Sequence, residues 1–135
     1  MNLRMKTTID VESKLSELQS SLQVSSKAAV MRLAIAYSLK MKDDPRIIDG
    51  VIQHYNIKKQ NGSDYIRYTI FGNDEILYKV MFEQQCGKHL NDDEFFPELT
   101  YAHISRGIKE LYADYKLSNN REKFIKQLIK VIENN

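Results

Sequence analysis

The sequence predicts a mainly α fold with minor β, and three observations predict it. Apolar residues recur at helical spacing, as Leu15, Leu18 and Leu22 do near the front and Phe124, Ile125, Leu128, Ile129 and Ile132 near the end. Alternation of period two is confined to short stretches, the first being Leu3 to Ile9. A length of 135 residues, 42% hydrophobic and 28% charged, with five Gly and two Pro, suits one domain with a sizeable core and no disordered tract.

In chain order, Leu3, Met5 and Ile9 form an apolar strand face, while Arg4, Lys6 and Thr8 form a basic outer face. Asp10 stands where an N-cap accepts first-turn N–H groups, so a helix runs over about 11–22. Gln23 and Val24 turn the chain, and Ser25 or Ser26 caps a second helix over 28–39, apolar nearly all round apart from Arg32 and Ser38. A helix of that kind is buried on every side. Nothing in residues 41–135 offers an obvious cover, so it reads as the core between chains of a homo-oligomer.

Asp44-Pro45 ends the helix. Ile47, Ile48, Val51 and Ile52 suggest a short helix, and Asn61-Gly62 between Tyr55–Lys59 and Tyr65–Phe71 signals a small hairpin. Glu75–Gln85 forms a helix with Ile76, Leu77, Val80 and Met81 inward, ended by Gly87. Pro97 begins a long helix with Leu99, Ala102, Ile104, Ile108, Leu111 and Tyr115 on its apolar side. Gly107 in its interior costs about 1 kcal/mol against Ala and marks the close approach of another element. Asn120 caps the last helix, 121–133.

The net charge of +2 is unevenly spread. Residues 1–42 hold seven Lys/Arg against three Asp/Glu, 61–115 hold five against ten, and 116–135 hold five against two. One basic face for polyanions, and an acidic face turned away or toward a basic partner, fit this pattern. Cys86 is the single cysteine and no run approaches a membrane span, which suits a cytoplasmic protein.

Catalytic and metal readings are weak. Cys86 and His89 have C-x-x-H spacing, but Asp92, His54 and His103 are not spaced to complete a four-ligand site, so no metal or cofactor is expected. His103, Arg106 and Gly107 share a helical face without a nucleophile or carboxylate dyad beside them, so the chain is not expected to be an enzyme. The front of the chain, a basic strand followed by two helices, has the pattern of ribbon-helix-helix proteins. In these, two chains pair their strands and lay the ribbon on DNA. Arg4, Lys6 and Thr8 then face the duplex, with Ser25, Ser26 and Lys27 toward the phosphates. The same spacing also fits a strand with a solvated basic side.

Tyr68-Thr69-Ile70-Phe71-Gly72 and Ala102-His103-Ile104-Ser105-Arg106-Gly107-Ile108-Lys109-Glu110-Leu111, with Arg32-Leu33-Ala34 and Ser38-Leu39 ahead of them, resemble the DndE family of DNA sulfur-modification proteins. The resemblance covers about Leu3 to Leu117. It implies one domain over 1–135, with a ribbon-helix-helix-like part in 1–40, a hairpin and helices in 41–117, and a C-terminal helix in 118–135 that looks like an addition. It also implies a non-catalytic, homo-oligomeric subunit, a dimer or tetramer, that binds duplex DNA, nicked duplex in particular, and works with other DNA sulfur-modification subunits. Arg4, Lys6, Lys14 and Lys27 are the candidate phosphate contacts. Arg32 and Arg106 are candidates for a structural ion pair or a second DNA contact. The alternatives are a ribbon-helix-helix repressor and an assembly scaffold.

Overall fold

A computed structural model describes residues 1–118 and 121–133. The strand-helix-helix order at the front is as expected: β1 (Arg4–Lys6), α1 (Ile9–Leu22) and α2 (Lys27–Leu39). The cap of α1 is Thr8, not Asp10. The Thr8 Oγ1 accepts from the Val11 N–H at 3.2 Å, while Asp10 sits inside the first turn. Ser26 caps α2, accepting from Ala29 N–H at 3.2 Å.

Helix α2 is covered from within the chain. Helix α5 (Thr100–Leu117) lies along it, and α1, α3 (Arg67–Phe71) and α4 (Glu75–Cys86) pack on further sides, leaving Ala29, Arg32, Leu33, Ala36 and Leu39 partly exposed. Val30, Met31, Ala34 and Ile35 are fully buried in this cage. Each of the larger three contributes roughly 1.5–3 kcal/mol by leaving water. Much of the cover expected from a second chain is therefore supplied by helices far along the sequence that return to pack on α2. The close approach that Gly107 signalled is to this helix: a Cβ on Gly107 would stand 1.7 Å from the Ala34 carbonyl oxygen.

Two small antiparallel pairs complete the fold. β2 (Ile47–Ile48) and β3 (Val51–Ile52) form a hairpin over Asp49 and Gly50, both at positive φ (53° and 78°), where a short helix was expected. Four β-branched residues around Asp-Gly favour this hairpin over a helical turn. The hairpin expected around Asn61-Gly62 is absent. Ile57–Lys59 is a 3-10 turn, and β4 (Asp64–Ile66) pairs with β1 in the register Arg4↔Ile66, Met5↔Tyr65 and Lys6↔Asp64. Asn61 instead caps: its Oδ1 accepts from Ile9 N–H at 3.1 Å. Gly62 packs against Thr7, where a Cβ would come within 2.8 Å of backbone.

Helix α4 differs from expectation in its orientation. Phe82 is its buried residue, while Ile76, Leu77 and Val80 are 78%, 56% and 44% exposed. Before α5, Glu94–Leu99 makes a π-type turn with a cis Phe96–Pro97 bond, and Phe95, Phe96 and Leu99 enter the core. Helix α6 (Arg121–Glu133) lays Phe124 and Leu128 inward and leaves Ile129 half exposed. The expected Asn120 cap and the Ile132 side chain lie outside the described residues.

Candidate nucleic-acid interface

In β1 only Met5 is buried, and Leu3 and Ile9, expected on the inner face, are exposed. The antiparallel register puts Arg4, Lys6 and their cross-strand neighbours Ile66 and Asp64 on the outer face. Leu3 O and Thr7 N bond toward the β4 side, leaving the even residues to face the other edge. That edge is met by Tyr55, whose hydroxyl accepts from the Lys6 N–H at 2.9 Å. Both sides of β1 are thus engaged within one chain, so the two-chain strand pairing of a ribbon-helix-helix dimer is replaced by an internal ribbon.

Arg4 and Lys6 take part in no ion pair among the described residues. The segment from Tyr55 to Ser63 passes from one edge of β1, where Tyr55 meets Lys6, to the β4 edge, where Ser63 meets Thr7, and carries two exposed cations, Lys58 and Lys59, in no ion pair among the described residues. Sequence reading did not single them out. Their adjacency in the chain was the available signal.

The other candidate cations are engaged to differing degrees. Lys14 Nζ lies 2.7 Å from Asp10, and Lys27 Nζ lies 3.1 Å from Glu12, which also accepts from Thr7 and Tyr65 hydroxyls. Arg32 donates to the Ile70 carbonyl at 2.9 Å. Arg106 donates to Ser38 Oγ (2.9 Å), Ser38 O (2.7 Å) and Asp43 O (2.7 Å). Among the described residues neither arginine is in the structural ion pair that was one of the two roles expected; their hydrogen-bond acceptors are neutral.

Two arginines that sequence reading passed over are the ones in ion pairs among the described residues. Arg46, nearly buried, meets Asp44 at 2.8 Å, Glu98 at 2.9 Å and Glu94 at 3.3 Å. Arg67 meets Asp92 at 2.6 Å and Glu75, and lies over the Phe96 ring at 5.1 Å. The Arg67 guanidinium holds the Asp92 carboxyl below the usual range. Four carboxylates of the acidic stretch, Glu75, Asp92, Glu94 and Glu98, are thus turned to internal arginines.

Ser38 Oγ and His103 Nδ1 lie 2.8 Å apart, the nearest arrangement to a nucleophile and base, yet both residues are fully buried. Burial, with the Arg106 charge nearby, pushes His103 down to about 3, so the ring is neutral and stacks on Phe82 at 4.4 Å. His89 is exposed and meets Glu83, His54 meets Glu98, and Cys86 Sγ faces the Glu83 carbonyl at 3.8 Å. Among the described residues no group of three or more His, Cys, Asp or Glu is placed to hold a metal. None of their helices is long and apolar enough to cross a membrane.

Residues 4–119 match the family profile described as DNA sulphur modification protein DndE. The chain belongs to the DndE family. This assigns it a role in DNA sulfur modification. No curated protein matches it. The DndE match runs from β1 to just past α5 and leaves α6 outside. The sequence motifs of the DndE resemblance fall on α3 and α5, at the Ile70 carbonyl that receives Arg32 and at the Gly107 that touches Ala34. They therefore mark the packing of α2 within its cage.

Proposed function

We propose that this DndE-family chain is a non-catalytic, DNA-binding accessory subunit of phosphorothioation, holding duplex, nicked duplex included, through the sugar-phosphate backbone. The observation that carries the reading is the outer face of β1, where Arg4 and Lys6 stand outside any ion pair among the described residues. Cations of this kind give sequence-independent, salt-sensitive contact. Lys14 and Lys27 add charge nearby but are partly neutralised by Asp10 and Glu12. Arg32 and Arg106 act first in packing. The closed Ser38–His103 pair, out of reach of any substrate, supports the non-catalytic part.

The subunit works as a cytoplasmic homo-oligomer alongside other modification subunits. Supporting this, α4 presents Ile76, Leu77 and Val80 to solvent, an apolar face of the kind that marks protein contacts.

The test is duplex binding across a salt series, read by fluorescence anisotropy, for the wild type and Arg4→Ala/Lys6→Ala. Each lost phosphate contact lowers the log–log salt slope by roughly 0.9, so the double variant loses up to about 2 in slope as well as affinity. Lys14→Ala, whose charge is held by Asp10, changes the slope less. Unchanged affinity and slope in the double variant would remove the ribbon from the interface. Nicked and intact duplexes compared in the same assay test the structural preference.

A further inference from the structure

A cavity of 260 Å³ lies between α5 and the β2–β3 hairpin, and DNA binding as proposed makes no use of it. One wall is a single stripe of the chain: Glu98, Tyr101, Ala102, Ser105, Arg106 and Lys109 recur at three- and four-residue spacing. Pro45, Ile47 and Ile48 face it from the hairpin side, and Arg46, Gln53, His54, Tyr55 and Gln60 complete the lining.

The hairpin adds little to the core, since Ile47, Ile48, Val51 and Ile52 are all about half exposed. It is fixed at its root instead. Arg46 is clamped by three carboxylates, its carbonyl accepts from Gln53 N–H at 2.7 Å, and His54 lies 2.5 Å from Glu98. Branched apolar side chains on a root-anchored hairpin beside a cavity are arranged as a cover.

The lining is apolar at the hairpin, aromatic beneath and cationic at one end. Tyr55 and Tyr101 pack edge to face at 5.5 Å, and Tyr55 gives its hydroxyl to the Lys6 backbone, leaving the ring for the cavity. Glu98, the carboxylate on the wall, is already held by Arg46 and His54. Arg106 is half buried with only neutral acceptors, and Lys109, three residues on, is exposed and outside any ion pair among the described residues. Burial pushes the Arg106 guanidinium below its usual range, and the nearby Asp43, Asp44 and Glu110 carboxylates, none of them bonded to it, only partly offset that. Gln60 Oε1 is buried without a hydrogen-bond partner.

We propose that this cavity binds a small amphiphilic acid: one ring or branched chain seated between Ile47, Ile48 and the Tyr55–Tyr101 pair, its carboxylate or phosphate held at Arg106 and Lys109. The volume lies just under the roughly 300 Å³ at which common ligand pockets begin, which limits the occupant to about one ring with a short tail.

The experiment titrates the full chain with 3-phenylpropionate, phenyl phosphate and the neutral 3-phenylpropanol, followed by amide NMR spectra. At least one acid moves the amides of Ile47, Ile48, Ala102 and Ser105 and binds at least tenfold more tightly than the alcohol. The stronger of the two acids identifies the headgroup. Lys109→Glu, an exposed change that leaves the fold intact, weakens acid binding at least fivefold and leaves the alcohol unaffected. Silence of these amides with both acids, equal binding of the alcohol, or full acid affinity in Lys109→Glu would overturn the assignment. Displacement of the bound acid by a short duplex would also overturn it, by giving the cavity to the DNA surface.

Discussion

Gly107→Ala tests the central packing of the fold through the sign of its effect. Helix propensity alone makes the variant more stable by about 1 kcal/mol, because Ala is the better helix residue. The structure predicts the opposite. The new methyl carbon would stand 1.7 Å from the Ala34 carbonyl oxygen, 2.4 Å from its carbon and 2.9 Å from its Cα. Restoring ordinary contact requires α2 and α5 to part by roughly 1.5–2 Å, and a gap of 0.5–1 Å already forfeits a quarter to a half of each dispersion contact. Neighbouring Arg106 would be drawn away from Ser38 by the same shift. Overpacking of this severity costs about 3 kcal/mol or more, so the net loss is about 2 kcal/mol after the propensity gain.

Urea unfolding followed by far-UV circular dichroism measures the loss directly. In thermal melts it corresponds to a fall of roughly 8 °C. Because the obstructing atoms belong to the backbone, adding Ala34→Gly gives no rescue. A variant as stable as the wild type, or more stable, would refute the packing argument, and rescue by Ala34→Gly would locate the clash in a side chain.

Two further outcomes follow from the same structure. His103 is neutral in the fold, at about 3, and titrates near 6.5 when unfolded, so the unfolded chain takes up a proton that the native chain refuses. Its contribution is complete above about pH 7.5 and is lost as pH falls toward 3. Between pH 7.5 and 5.0 this removes about 2 kcal/mol. Urea unfolding of the wild type and His103→Gln across that range measures it, and identical pH dependence would contradict the assignment. For α1, Thr8→Ala costs about 1 kcal/mol and Asp10→Ala a few tenths, a ranking that chemical denaturation reads directly and that reverses if Asp10 is the true cap.

The helices were largely legible because their burial follows local periodicity. Leu15, Leu18 and Leu22 are buried as read, as are Leu99, Ile104, Ile108 and Leu111. Gly107 was legible because a glycine inside a helical pattern has few other reasons to be there. The misreadings share a cause in distant residues. Thr8 and Asp10 are both capping types, and the choice follows from where β1 stops, which β4 sets from about sixty residues away. Asn61-Gly62 and Asp49-Gly50 carry the same local turn signal, yet the first was claimed by Thr7 and Ile9 and only the second made a hairpin. On α4, Phe82 rather than the Ile76–Leu77–Val80 face met the core, because Phe95 and His103 were waiting for a ring. Of the candidate interface, Arg4 and Lys6 could be read from alternation. That Lys14 and Lys27 are held by neighbouring acids, and that Arg46 and Arg67 absorb the carboxylates, needed the tertiary structure.

The internal ribbon has a consequence for how the chain is made. A strand that pairs with a second copy is complete once the first forty residues exist, but β1 finds its partner at Asp64–Ile66 and α2 its cover in α5. As the chain leaves the ribosome, its front segment must wait, with Met5 and the apolar sides of α2 uncovered, until the roughly eighty residues through Leu117 have followed. The strand-helix-helix front is therefore completed by residues far behind it and is not a detachable module.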